Sequence, residues 1–226
     1  MAFGGLEQRL TRVREVIAEA QRAAGLSHPV RIVAVTKSHG VDAVAAALRA
    51  GLRDVGENRV QEALEKQTSS PDGIDWHLIG TLQRNKARHA AGRFVLIHSV
   101  DRADLAAELA RRVPAGVQQP VLVQVNCSSE PQKGGVEPEG LGALLESIAG
   151  LPGLDVRGLM TMAAYDADVA TQGRTFALLR ELRERHERGG HRLPELSMGM
   201  SDDYEAAVRE GATMVRLGTA LFGERG

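Results

Sequence analysis

Arg31-Ile32-Val33-Ala34-Val35-Thr36-Lys37 is a short, apolar, β-branched run with Pro29 before it and Gly40 after it. Its apolar residues do not alternate with polar ones, so both faces are expected to be covered, as in a central parallel strand packed between helices. Sheets and barrels of that kind place their chemistry at the C-terminal ends of the strands, and Lys37 is the primary amine at that end. A strand-end lysine also has an ordinary use, because its long stem can carry the ammonium out to water. The rest of the chain has to decide between the two.

Upstream, Leu6, Leu10, Val13, Ile17, Ala20 and Ala24 recur at three- and four-residue steps, which predicts an amphipathic helix over 5–24 that Gly25 stops. Downstream, helical spacing over 41–50 gives way to a strand at 54–58 and a helix at 59–66. The alternation continues with a strand at 76–80, a basic helix near 83–91, a strand at 94–99 and a helix at 102–112. A strand at 120–125, a helix at 141–149, a strand at 156–162 and a long helix at 169–187 follow. Strand 195–198, helix 203–210 and strand 214–217 complete the series. Strands separated throughout by helical patterns predict an α/β chain folded as a single (β/α)8 TIM-type barrel over residues 1–226, with an extra N-terminal helix packed on the closing turn. The segments 67–75 and 127–140 read as polar loops, and no domain boundary is visible.

The chain has 226 residues, and its 28 Lys and Arg nearly balance 29 Asp and Glu. A formal net charge of −1 gives no global field toward nucleic acid or a membrane surface. In the Arg-rich segment 180–192, Glu181, Glu184 and Glu187 stand at helical spacing, which predicts a salt-bridged, solvated face. The single cysteine, Cys127, fits a reducing cytoplasm and reads as a small packed residue. The N-terminus lacks the apolar core of a signal peptide, and no stretch approaches the roughly 20 apolar residues of a membrane span. No exposed apolar seam is evident, which favours a monomer.

Near the C-terminus, Leu196-Ser197-Met198-Gly199-Met200-Ser201-Asp202-Asp203 and Met214-Val215-Arg216-Leu217-Gly218-Thr219 each run from strand through a glycine turn into a helix start. In a barrel, the loops after the seventh and eighth strands form the usual phosphate cradle. Ser201 and Thr219 supply hydroxyls there, and Gly218 lets backbone approach an anion. The same residues have plainer readings: Asp202 with Glu205 matches a capping box, Ser201 could cap a helix, and Arg216 could be an ion-pair partner. Asp202 and Asp203 must turn away from any bound phosphate. Asn58 and His77 are expected on the same rim as Lys37, either lining a flat ligand or bonding a loop carbonyl. The other histidines lack metal-ligand spacing, and no nucleotide-hydrolase, serine-hydrolase or zinc-protease motif occurs.

Val33-Ala34-Val35-Thr36-Lys37, Gly56-Glu57-Asn58 with Gln61-Glu62, and Trp76-His77-Leu78-Ile79-Gly80 with Gln83 and Asn85-Lys86 recur in one order. With Gly158-Leu159-Met160-Thr161-Met162 and the two C-terminal blocks above, they resemble the pyridoxal phosphate homeostasis protein family over nearly the whole chain. The resemblance implies a barrel like the N-terminal domain of alanine racemase, with pyridoxal 5′-phosphate (PLP) held as a Schiff base on Lys37. It further implies that Ser201, Gly218 and Thr219 hold the phosphate and that Arg216 faces the pyridine nitrogen. The chain departs from the family pattern at Ser38, His39 and Gly40, at Thr81 and Arg84, and in the loop from Cys127 to Gly135, which puts loop contacts in question.

PLP stabilises a substrate carbanion best when its ring nitrogen is protonated, and an arginine, permanently cationic and only a donor, favours the unprotonated nitrogen. Alanine racemases also carry a second domain whose tyrosine serves as a base. This chain ends at Gly226, soon after the eighth strand, so such a base is expected to be missing. The expectation is therefore a cytoplasmic carrier that buffers PLP and delivers it to apo PLP-dependent enzymes without turnover of its own. A small PLP-dependent amino-acid racemase or decarboxylase is the competing reading, and a phosphate-binding barrel without PLP is a third.

Overall fold

Alternation within each strand sorts side chains into a lumen layer and an outer layer, and that sorting is what closes this sheet into a tube. In the computed structural model, residues 3–128, 130 and 133–224 are described. Positions 129, 131 and 132 of the 127–140 loop, with Met1, Ala2, Arg225 and Gly226, lie outside the described residues.

The elements run α1 (Leu6–Ala24), β1 (Arg31–Val35), α2 (Val41–Arg49), β2 (Asp54–Glu57), α3 (Val60–Ser69), β3 (Asp75–Leu78) and α4 (Ala87–Ala90). They continue through β4 (Leu96–Val100), α5 (Ala103–Arg112), β5 (Gln119–Gln124), α6 (Leu141–Ala149), β6 (Leu154–Met160) and α7 (Val169–Arg188). The chain then forms β7 (Glu195–Ser197), α8 (Tyr204–Arg209), β8 (Met214–Leu217) and α9 (Thr219–Phe222). Among the described residues eight parallel strands close in sequence order, with β8 returning to β1 through the register Val33 to Arg216. This is the expected α/β barrel with its extra N-terminal helix.

Outer-layer residues such as Val55, Leu78, Ile97, Val123, Leu159, Leu196 and Val215 are buried against the helices. Val33, Leu96, Leu122, Met160 and Met214 form a second apolar cluster inside the tube. Each side chain of this size contributes about 1.5–3 kcal/mol when fully buried. The apolar face of α1 (Leu6, Leu10, Val13, Ile17) is buried, and Arg9 Nε donates to Leu221 O at 2.6 Å. The leading helix therefore seals the closing turn, as its pattern predicts. On α7, Arg180 pairs with Glu184 at 3.1 Å and with Glu210, just past α8, at 3.3 Å, so this arginine-rich face is an ion-paired surface.

Several boundaries shift by a few residues from the sequence reading, and two of the shifts have clear local causes. β1 ends at Val35, because His39 N–H donates to Thr36 O and Ser38 takes a left-handed φ of 62°, which turns the chain at Lys37. The basic helix expected near 83–91 is a 3-10 turn over Arg84–Lys86 followed by the single turn α4. Gly92, at φ 71°, ends it.

Candidate functional site

The C-terminal ends of the strands open into a cavity of about 370 Å³. Lys37, Asn58, Ser201, Arg216, Gly218 and Thr219 all line it. Six residues scattered from the first strand to the last thus share one cavity, as a common rim position requires.

Lys37 is half-buried, and the residues on both sides of it are fastened to the outer layer. Thr36 Oγ1 donates to Glu57 Oε1 at 2.5 Å, and Thr36 O accepts from Lys66 Nζ at 2.8 Å. On the far side, Ser38 N–H donates to Glu62 Oε1 at 2.8 Å. Lys66 Nζ bridges the two carboxylates at 2.7 Å and 2.9 Å. Burial pushes the Glu57 carboxyl up despite the hydrogen bonds from Lys66 and Thr36, and its Oε2 has no partner among the described residues. Glu62 is more open; burial opposes its charge, yet hydrogen bonds from Lys66 and the Ser38 amide hold it below the usual range. This Glu57–Lys66–Glu62 cluster fixes the backbone from which the Lys37 side chain enters the cavity.

The alternation in β2 and β3 explains the opposite wall. Asp54, Gly56 and Asn58 face inward, leaving Glu57 outward against α3. Inward positions on β3 fall at His77 and Ile79, since Trp76 and Leu78 pack in the outer core. Ile79 therefore reaches the cavity, and His77 lies one layer below it, fully buried. The expectation that His77 stands on the rim is corrected: its ring nitrogens are engaged by Asp54 Oδ1 at 2.9 Å and His98 Nε2 at 3.0 Å. Gly80 keeps Asn58 in place by close approach, since a Cβ there would sit 2.4 Å from Asn58 O.

On the β7 and β8 side, Gly199 turns the chain with φ 94°, and Arg216 N–H donates to its carbonyl at 2.9 Å. Ser201 Oγ accepts from the N–H groups of Gly218 at 3.3 Å and Ala220 at 3.1 Å. Its hydroxyl thus joins the two loops, and its proton remains for an acceptor in the cavity. The capping-box reading of Asp202 is not what forms. Asp203 takes the cap position of α8 without a side-chain cap and instead accepts from Met200 N–H at 2.5 Å. Burial pushes the Asp203 carboxyl up, while the Met200 hydrogen bond and Arg216 pull the other way. Asp203 turns away as expected, whereas Asp202 stays on the cavity wall, exposed, where water screens its charge.

Arg216 is 4% exposed at the cavity floor. Its Nη1 donates to Ser197 Oγ at 2.8 Å and its Nη2 to Thr161 O at 2.9 Å. Burial lowers its pKa to about 10, with Asp203 working against that fall, so the group stays cationic at neutral pH. No carboxylate forms an ion pair with it among the described residues, which removes the plain structural reading of this arginine. Cys127 is buried, and burial pushes its thiol up to about 12, as suits a packed residue. No cluster of His, Cys, Asp and Glu suited to a metal occurs among the described residues.

Sequence reasoning missed part of the lining. Val35, Ile79, Met162 and Met200 supply apolar walls, and Gln124 and His39 add polar edges. The signal that could have found Val35, Ile79, Gln124 and Met162 is phase: each is the last inward position of its strand or the next one beyond. The finished cavity offers a primary amine, a buried cation at the floor, a cluster of hydroxyl and amide groups, and flat apolar walls.

A family model described as "Alanine racemase, N-terminal domain" matches residues 9–226. A Pyridoxal phosphate homeostasis protein of Pseudomonas aeruginosa is 47% identical over 223 residues, covering 97% of this chain and 96% of that protein. Its counterpart in Aquifex aeolicus is 44% identical over 222 residues, covering 96% and 97% respectively. Among solved structures, PipY of Synechococcus elongatus with PLP bound superposes with a TM-score of 0.83 at 39% identity, covering 96% of this chain and all (100%) of that one. By sequence over nearly its whole length and by fold, the chain belongs to the pyridoxal phosphate homeostasis protein family.

Proposed function

We propose that residues 1–226 form one domain that binds PLP in this cavity, buffers it, and hands it to apo PLP-dependent enzymes without transforming a substrate. The observation that carries the reading is the meeting, in one cavity, of the Lys37 amine, the buried Arg216 cation and the Ser201, Gly218 and Thr219 cluster. The fit to the cofactor rests on chemistry visible in the chain. A Cβ at Gly218 would stand 3.7 Å from Val35 Cβ, an ordinary contact, so it would fill cavity space instead of striking the wall. PLP supplies an aldehyde that condenses reversibly with a primary amine, on a ring whose nitrogen can serve as an electron sink.

Lys37 is the amine that would hold the aldehyde, on a backbone that α3 keeps in place. Ser201 and Thr219 hydroxyls would receive the phosphate, and Gly218, which has no side chain and gives its N–H to Ser201 Oγ, would leave it room. Arg216, a donor that cannot accept, would keep a ring nitrogen placed against it unprotonated and so weaken the sink. Asn58 and Ile79 would bound the ring from the opposite wall. Neither Tyr165 nor Tyr204 lines the cavity, so no phenol stands ready as a second base. Supporting the carrier reading further, the curated relatives are named for homeostasis, and PipY holds PLP.

The same reading makes the protein a cytoplasmic monomer. No helix among the described residues is long and apolar enough to cross a membrane. Val95 and Val117 are exposed before strands, and Tyr165, Val169 and Met200 after strands, so these apolar side chains fall at opposite ends of the barrel and make no single seam. The test is a PLP titration followed by absorbance, then addition of an amino-acid panel to the loaded protein. The carrier reading expects saturable uptake, no turnover, and transfer of PLP to an apo-enzyme in the presence of a free-PLP scavenger. Turnover of any one amino acid would establish the racemase or decarboxylase reading in its place.

A further inference from the structure

Below the cavity floor, five side chains from five strands form a line of hydrogen bonds across the barrel lumen. Arg216 Nη1 lies 2.8 Å from Ser197 Oγ, and Ser197 Oγ lies 2.9 Å from His98 Nδ1. His98 Nε2 is 3.0 Å from His77 Nδ1, and His77 Nε2 is 2.9 Å from Asp54 Oδ1. Ser197, His98 and His77 are fully buried, whereas the Asp54 side chain is 24% exposed at the start of β2. The line therefore runs from water at the N-terminal mouth of the barrel to the cavity at the other.

With both rings neutral, one direction satisfies both ends. A guanidinium only donates, so Ser197 Oγ accepts from Arg216, and its one proton goes to His98 Nδ1. His98 then carries its proton on Nε2 and donates to His77 Nδ1. His77 in turn carries its proton on Nε2 and donates to the Asp54 carboxylate. In that direction the two imidazoles share one tautomer. Every link points the same way, so each polarises the next. Arg31 Nε, 3.8 Å from the same Asp54 oxygen, closes the solvent end.

The arrangement answers a need of Arg216. A buried guanidinium with no ion-paired carboxylate is costly unless hydrogen bonds satisfy and orient it. Two of its donors are used by Ser197 and Thr161, and the others remain for whatever lies on the cavity floor.

We propose that Ser197, His98 and His77 are positioning residues for Arg216, a one-way hydrogen-bond chain ending on Asp54 that fixes the guanidinium against the ligand. Its role toward the ligand rests on the PLP reading above; the chain itself does not. Arg216 touches the ligand, and the other members act only through it.

The experiment starts with the full chain carrying 15N-labelled histidine, with ring tautomers read from long-range proton–nitrogen correlations at neutral pH. Both His77 and His98 are expected as neutral rings protonated on Nε2. A proton on Nδ1 of either, or a charged ring, overturns the chain. PLP is then titrated into Ser197→Ala and into His98→Gln, which breaks the line without touching Arg216. Each variant is expected to weaken PLP binding about tenfold, the effect of losing a hydrogen bond to a charged group, and to move the absorption band of bound PLP. Unchanged affinity and an unchanged band in His98→Gln overturn the positioning role, even where Ser197→Ala fails to fold. A wild-type protein that takes up no PLP overturns the cofactor reading and the role toward the ring with it, while the tautomers still report on the chain.

Discussion

Gly199 is the residue on which the β7 wall of the cavity turns. At φ 94° it holds a conformation that side chains rarely adopt, and an added Cβ would stand 2.7 Å from Ala207 Cβ and 2.9 Å from Tyr204 Cα. Gly199→Ala is expected to lose about 2–3 kcal/mol in urea denaturation, from strain and overpacking together. A loss under about 0.5 kcal/mol would show that the turn relaxes freely. Single residues were legible in the sequence when they stood at strand ends: Lys37, Asn58, Ser201, Arg216, Gly218 and Thr219 all reach the cavity for that reason. His77 was misplaced by one layer, because the end of β3 is set by pairing to β2 and β4 and not by its own residues. The lumen chain was not legible, since Asp54, His98 and Ser197 carry no local pattern and acquire partners only when distant strands close into a tube.

At the scale of elements, α3 is the clamp on Lys37. Its Lys66 is buried and bridges Glu57 and Glu62, which hold the residues flanking Lys37. Lys66→Met leaves Glu57 buried without a counter-charge and is expected to cost about 3 kcal/mol. Replacing Glu57 with Leu in the same chain should restore much of that loss, because no unpaired charge remains. A single variant no less stable than the double one would contradict the clamp. The order of elements was readable because helical and strand periods alternate from one end of the chain to the other. The outward carboxylate of β2 and its lysine were not, since Glu57 and Lys66 each read as ordinary exposed residues until packing brings them together. α4 shrank for a related reason: its basic residues lack the apolar spacing that would hold a longer helix on the barrel.

At the scale of the whole molecule, a barrel whose lumen is partly polar has a defined weakness toward acid. Burial holds His98 well below its ordinary value of 6.5, with His77 and Arg216 adding to the effect. The folded form thus keeps this ring neutral while the unfolded chain takes a proton, so its contribution is complete above pH 6.5 and is lost as pH falls below it. Stability is expected to drop by about 1 kcal/mol between roughly pH 6.5 and 5.5 on this account. His98→Gln should flatten that interval, and an equal drop in both proteins would place the acid sensitivity elsewhere. Glu57, raised by burial, acts in the opposite sense, and because both proteins carry it the comparison with His98→Gln isolates the histidine. The central claim is that this molecule exists to hold PLP through one amine. Its most direct test is borohydride reduction of the PLP-loaded protein followed by peptide mapping of the trapped adduct. The adduct is expected on Lys37 and absent from that peptide in Lys37→Ala; a wild-type adduct found only on another lysine, or no adduct at all, would contradict the account.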